Sequence, residues 1–148
     1  MSKIRSGRAK SATTAGALLA ALLGGALAVA PSATAADYSP CTYGAVLHNK
    51  VTNPTSYKYV PYVGNSPNCW LDWGMSNTAV RALQKNLNSC YGYRLATDGD
   101  FGDLTESALK SVQRKVGVRA DGDYGPNTRN AMVWANYSME TGARISCN

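Results

Sequence analysis

The stretch DGDFGDLT runs from Asp98 to Thr105, and DGDYGPNT runs from Asp121 to Thr128. One eight-residue phrase written twice, 23 residues apart, marks a supersecondary unit used more than once. Asp-Gly is a turn dipeptide, because Asp bonds local amides and Gly takes φ values that other residues resist. Phe101 and Tyr124 share one slot between polar or flexible neighbours and read as anchors that pack inward. Gly102 and Gly125 fall at an N-cap or just before it. Pro126 then suits the first helical residue, whose N–H has no partner in any case. Asp103 stands there in the other copy and suits the helix dipole. Thr105 and Thr128 fall in the first turn, within reach of its free amides. The phrase therefore predicts a helix start, twice. A calcium loop of the EF-hand kind needs Gly at position six and Glu at twelve. Counted from Asp98, those positions hold Asp103 and Leu109, and the second copy has Pro126 at six. No metal and no cofactor is expected.

Apolar residues recur at helical spacing on either side of the phrase. Val80, Leu83 and Leu87 fall at i, i+3 and i+7, with Ser76 or Asn77 available as N-cap. Leu109, Val112 and Val116 repeat the pattern, with Leu104 and Ala108 beside them and Gly117 as the stop. A third helix is read over PNTRNAMVWANY, from Pro126, with Ala131, Met132 and Ala135 on one side. Helices one and two share a further phrase, Leu83-Gln84-x-x-Leu87 and Val112-Gln113-x-x-Val116.

The N-terminus differs in texture. Lys3, Arg5, Arg8 and Lys10 precede an uncharged, apolar run, and Ala33 and Ala35 form a small-residue cleavage pattern. Residues 1–35 are therefore expected to be a secretory signal peptide, cut after Ala35 or Ala36. The apolar run is shorter than the roughly 20 residues of a spanning helix, so no membrane association is expected after cleavage. The chain has 15 basic and 9 acidic residues. Removing the leader leaves eleven basic against nine acidic residues, a net charge of +2. No Lys/Arg cluster remains to neutralise several phosphates, so nucleic acid is not an expected partner. Cys41, Cys69, Cys90 and Cys147 lie 28, 21 and 57 residues apart. An even count in a short exported chain reads as two disulfides, and these gaps lack paired zinc-ligand spacing. Three pairings are possible. The reading leans to Cys69–Cys147, which ties the ends of the helical region, with Cys41–Cys90 fastening the arm. That arm, residues 36–69, is rich in Tyr and Pro. Tyr57, Tyr59 and Tyr62 hint at a strand that Pro61 keeps at a sheet edge.

Taken together, residues Val80 to Thr128 resemble the peptidoglycan-binding domain of the small three-helix type. The residues that carry the likeness are Val80-x-x-Leu83-Gln84-x-x-Leu87, the two Asp-Gly-x-aromatic-Gly phrases, and Ala108-Leu109-x-x-Val112-Gln113. The likeness covers about Trp70 to Tyr137. It departs at Trp73-Gly74-Met75-Ser76-Asn77, where the family often has a Gly-rich turn. The arm and its cysteines lie outside it. The resemblance implies a mostly α fold, a compact three-helix bundle over 70–148, to which the arm adds a disulfide-tethered, extended N-terminal segment. It also implies non-catalytic attachment to peptidoglycan, through glycan strands or stem peptides, with a wall enzyme as a further partner.

Catalysis finds little support in the residues. His48 is the lone histidine, too few for a zinc hydrolase site. Six of the nine acidic residues belong to the turns and helix starts, and about 35 residues outside the helical region are too few for a catalytic domain of some 100 or more. A secreted, non-enzymatic protein located outside the cell or on its wall is the expectation. Candidate ligand contacts, chosen because aromatic rings lie on sugars and Arg clamps carboxylates, are Tyr91, Tyr93, Arg94, Arg129 and Trp134. The competing readings are a secreted protein-interaction or inhibitor module, whose arm adds a strand to a partner's sheet, and a minimal wall hydrolase.

Overall fold

The structure, a computed structural model, describes residues 38–48 and 55–148. The expected signal peptide lies outside the described residues. Strands β1 (Tyr43–His48) and β2 (Ser56–Tyr62) come first. Helices α1 (Thr78–Tyr91), α2 (Asp103–Lys115) and α3 (Pro126–Ala131) follow, then β3 (Ala135–Ser138) and β4 (Arg144–Cys147). The strands form one sheet of order β1-β2-β3-β4, antiparallel throughout.

The expected mostly α, compact three-helix bundle with an extended arm is therefore corrected to three helices on a four-stranded antiparallel sheet. The Tyr-rich segment holds the expected strand, but β2 lies inside the sheet and not at its edge; β3 pairs only with Ser56–Lys58, so Pro61 is paired with β1 alone. Tyr43 through His48 pair with Tyr62 through Tyr57, and Ser56–Lys58 pair with Ser138–Asn136. The third helix is half the expected length, because Met132 turns extended at ψ 145 and leads into β3. Val133, Trp134 and Tyr137 are strand-prone, and three apolar positions over five residues do not separate helix from strand.

The helical core follows the predicted faces. Val80, Leu83, Leu87, Leu109 and Val112 are buried, and so are Phe101 and Tyr124, the two expected anchors. Asn77 caps α1: its Oδ1 accepts from the amides of Ala79 and Val80 at 2.9 and 3.1 Å, and its Nδ2 donates to the Cys41 carbonyl at 3.1 Å. Gly102 and Gly125 are the N-caps of α2 and α3, with Pro126 at the start of α3. Leu104 departs from the expected face and is 77% exposed.

The bridges join Cys41 to Cys69 and Cys90 to Cys147, correcting the expected Cys69–Cys147 and Cys41–Cys90. Long-range backbone pairing decides this. The Cys41 amide donates to Trp70 O at 2.8 Å, which sets Cys41 beside Cys69. Strand β4 carries Cys147 to the last turn of α1, where Cys90 sits.

Tyr124 differs from Phe101 by one hydroxyl, and that hydroxyl is buried with no hydrogen-bond partner among the described residues. Burial pushes its phenol pKa well up, against a smaller opposing effect of Arg129. An unpaired buried hydroxyl costs about 1–3 kcal/mol. Tyr124→Phe is therefore expected to raise unfolding stability by about 1 kcal/mol in urea melts. Equal or lower stability would show that the hydroxyl has a partner in solution.

Candidate functional site

The repeated phrase folds as two loops, each held by a buried glutamine from the preceding helix. Gln84 is 1% exposed and Gln113 is 0% exposed. Gln84 Nε2 donates to Asp98 Oδ1 and the Asp100 carbonyl, both at 2.9 Å, and to Thr105 Oγ1 at 3.3 Å. Its Oε1 accepts from the Gly99 amide at 2.9 Å. Gln113 repeats this on Asp121 Oδ1, the Asp123 carbonyl, Thr128 Oγ1 and the Gly122 amide, at 2.9, 2.9, 3.1 and 2.9 Å. Each Asp also accepts from the amide two residues on, Asp100 in one loop and Asp123 in the other. The threonines therefore face the glutamine and not the free helix amides expected for them. Gly99 sits at φ +90, where a Cβ would come within 2.7 Å of the Asn77 carbonyl oxygen. Only glycine fits that turn.

The amide of Asp100 and the side chain of Gln84 hold the Asp98 carboxyl below its ordinary pKa. A folded pKa below the unfolded one adds stability above the unfolded value, and that stability disappears as pH falls through the folded value. The contribution is thus intact at neutral pH and is lost only in acid, as pH falls below the ordinary carboxylate range. Asp98→Asn is expected to flatten the acid limb of the stability–pH curve while leaving its slope near neutrality unchanged. A change confined to the range above pH 6 would contradict this.

Each loop borders a shallow groove, and the two grooves correspond. The first, about 260 Å³, is lined in part by Leu95, Asp98, Leu104 and Thr105. The second, about 680 Å³, is lined in part by Val118, Asp121, Asn127 and Thr128, each 23 residues further on. Their chemistry has diverged. Where the first has Ala96 and Leu104, the second has Arg119 and Asn127.

The candidate contacts fall elsewhere. Trp134 is 6% exposed; its ring meets Tyr124 edge-on at 6.2 Å, and its indole N–H donates to the Arg129 carbonyl at 3.1 Å. Packing takes up this ring. Tyr91 is half-buried, accepts from the Val133 amide at 2.9 Å, and has Lys115 Nζ 5.7 Å from its ring centroid. Burial raises its pKa, and the Val133 bond offsets part of that. The Arg129 guanidinium donates to Asn68 and Asn130. Tyr93 packs partly on the core, and Arg94 is exposed. Tyr91, Arg129 and Trp134 thus gather about the 129–134 segment, whereas Tyr93 and Arg94 stand on the chain after α1. Sequence reasoning missed the two glutamines, although their recurrence in Leu-Gln-x-x-Leu and Val-Gln-x-x-Val was the available signal. Among the described residues no group of three or more His, Cys, Asp or Glu is placed to hold a metal ion. None of the described helices is long and apolar enough to cross a membrane.

The helical region that holds both loops resembles known sequences. Residues 76–132 match the family model described as "Putative peptidoglycan binding domain". The matched domain takes in all three helices, both clamps and both loops, while the four strands lie outside it. The chain is 43% identical over 68 residues to a Bacillus licheniformis protein named "Probable N-acetylmuramoyl-L-alanine amidase", covering 44% of this chain and 19% of that one. It is 36% identical over 121 residues to the zinc D-Ala-D-Ala carboxypeptidase of Streptomyces albus G, covering 76% of this chain and 41% of that enzyme. An alignment over 76% of the chain necessarily takes in β1 and β2. The chain thus spans well under half the length of these relatives. A solved peptidoglycan-binding protein of Clostridioides difficile, in complex with glutamine hydroxamate, is 29% identical, with a TM-score of 0.44 and coverage of 59% of this chain and 54% of that one.

Proposed function

We propose that this chain is a secreted, non-catalytic module that binds bacterial peptidoglycan, attaching to the wall alone or beside a wall enzyme. The match of residues 76–132 to a peptidoglycan-binding domain carries this reading. In this reading the repeated acidic phrase serves as scaffold. Asp98 and Asp121 are each bonded to a buried glutamine and to a backbone amide. A carboxylate so held is poorly placed to shuttle protons. Recognition then falls to the outer surface, where the grooves and exposed side chains such as Arg94 are available for contact.

Co-sedimentation of the protein with purified sacculi tests the reading. Saturable pelleting that survives moderate salt is the expected result. Failure to pellet would favour a protein-interaction or inhibitor module. Release of dye from labelled sacculi by the protein alone would overturn the non-catalytic reading in favour of a hydrolase.

A further inference from the structure

The departure at Trp73-Gly74 creates a surface the matched domain does not include. Trp73 is 48% exposed, among the largest apolar surfaces the described residues leave open. It is also tethered. Its indole Nε1 donates to Asp103 Oδ1 at 2.9 Å. Its turn is fastened to the first Asp-Gly loop by three backbone bonds: Gly74 N to Phe101 O at 2.9 Å, Phe101 N to Met75 O at 2.8 Å, and Asn77 N to Gly99 O at 3.0 Å. Trp73 does not itself line the first groove, but Asp103, the partner of its indole, does, so one side chain links ring and groove. Apolar walls in that groove come from Leu95, Ala96 and the exposed Leu104, and its polar rim carries Asp98 and Asp100.

We infer that Trp73 and the first groove form a glycan site that takes a neutral, N-acetylated sugar residue. This rests on the wall-binding reading above. A fixed, exposed indole offers a flat apolar face for the C–H face of a pyranose at little entropic cost. The groove beside it accepts the acetyl methyl against Leu95, Ala96 and Leu104, and the aspartates accept from hydroxyl and amide N–H donors. The carboxylates disfavour an anionic ligand, such as the C-terminal carboxylate of a stem peptide or a phosphate polymer. Arg81, bonded to the Asp98 carbonyl, is not among the residues lining the groove. The second groove carries Arg119 instead and lacks the indole.

The test uses a β-1,4-linked N-acetylglucosamine oligomer and, separately, a peptide ending in D-Ala-D-Ala. Titration with the oligomer is expected to give a saturable blue shift of tryptophan emission, and titration with the peptide none. Trp73→Ala is expected to abolish the shift and weaken sacculus pelleting by about tenfold or more, the scale of a central aromatic contact. Trp73→Tyr, which keeps a stacking face, should retain most of the binding. Leu104→Ser should weaken it several-fold. Thermal melts of each variant, with Trp70 and Trp134 still reporting the fold, separate loss of binding from loss of structure. Equal pelleting of wild type and folded Trp73→Ala overturns the glycan site and leaves wall binding standing. A response to the peptide in place of the oligomer does the same. Wild type that does not pellet overturns both.

Discussion

Gln113→Leu is expected to destabilise the fold by about 3 kcal/mol, and Gln84→Leu by a similar amount. Leucine has nearly the volume of glutamine, so the loss is polar and not a cavity. Gly122 N–H loses its acceptor, and the side-chain donor to Asp121, the Asp123 carbonyl and Thr128 disappears. A buried backbone N–H left unpaired costs about 1–3 kcal/mol, and bonds to a charged acceptor are worth about 1.5–3 kcal/mol each. These combine to less than their sum, because Asp121 keeps the Asp123 amide and Thr128 keeps the Asp123 carbonyl. For a domain of this size the loss corresponds to roughly 10 °C or more in Tm. Calorimetry of the two variants beside Ser107→Ala, a change at an exposed helix position, checks it. The surface control should stay within about 0.5 kcal/mol of wild type. A clamp variant that also stayed there would show that the loops are held by something other than glutamine.

Removal of the Cys90–Cys147 bridge, by replacing both with serine, is expected to cost about 4 kcal/mol. Its residues are 57 apart in sequence, and those of Cys41–Cys69 are 28 apart. Loop-closure entropy makes the longer bridge worth about 4 kcal/mol and the shorter one about 3.5 kcal/mol. The difference is small because each doubling of loop length adds only about 0.6 kcal/mol. A second consequence belongs to the longer bridge alone. β4 pairs with β3 and forms one edge of the sheet, and Ile145 on it is half exposed. Without Cys147 little apolar burial holds β4, so the C-terminal amides should exchange with solvent in advance of global unfolding. Urea titration gives the first quantity and hydrogen exchange the second. If the Cys41/Cys69 double serine variant proved the less stable of the two, strain or residual structure would have to outweigh chain entropy.

Local signals carried the helical half of this protein into view from sequence. Turn chemistry at Asp98-Gly99 and Asp121-Gly122, the caps at Asn77 and Gly125-Pro126, and the apolar spacing of α1 and α2 all act within a few residues. The anchoring of Phe101 and Tyr124 was legible for the same reason. The sheet was not, because its pairings join residues far apart. Tyr57 meets Tyr137 across 80 positions, and their rings stack at 5.5 Å between centroids. Nothing local in either segment names the other. The same distance hid the bridge pattern, since β4 reaches Cys90 only once the sheet exists. Trp134 has the chemistry of a sugar platform, but packing against Tyr124 in the core buries it, while Trp73, noted only as a departure, stays exposed.

By itself, the sequence determined the twin Asp-Gly loops and the helix starts that follow them, because dihedral preference, capping and short-range periodicity are properties of neighbouring residues. The tertiary structure alone decided that Gln84 and Gln113 face those loops, that the Tyr-rich segment and the C-terminus share one sheet, and which tryptophan meets solvent. Those outcomes depend on which groups the packed core buries and on pairings beyond the reach of turn and capping rules, which exist only after the chain has closed on itself.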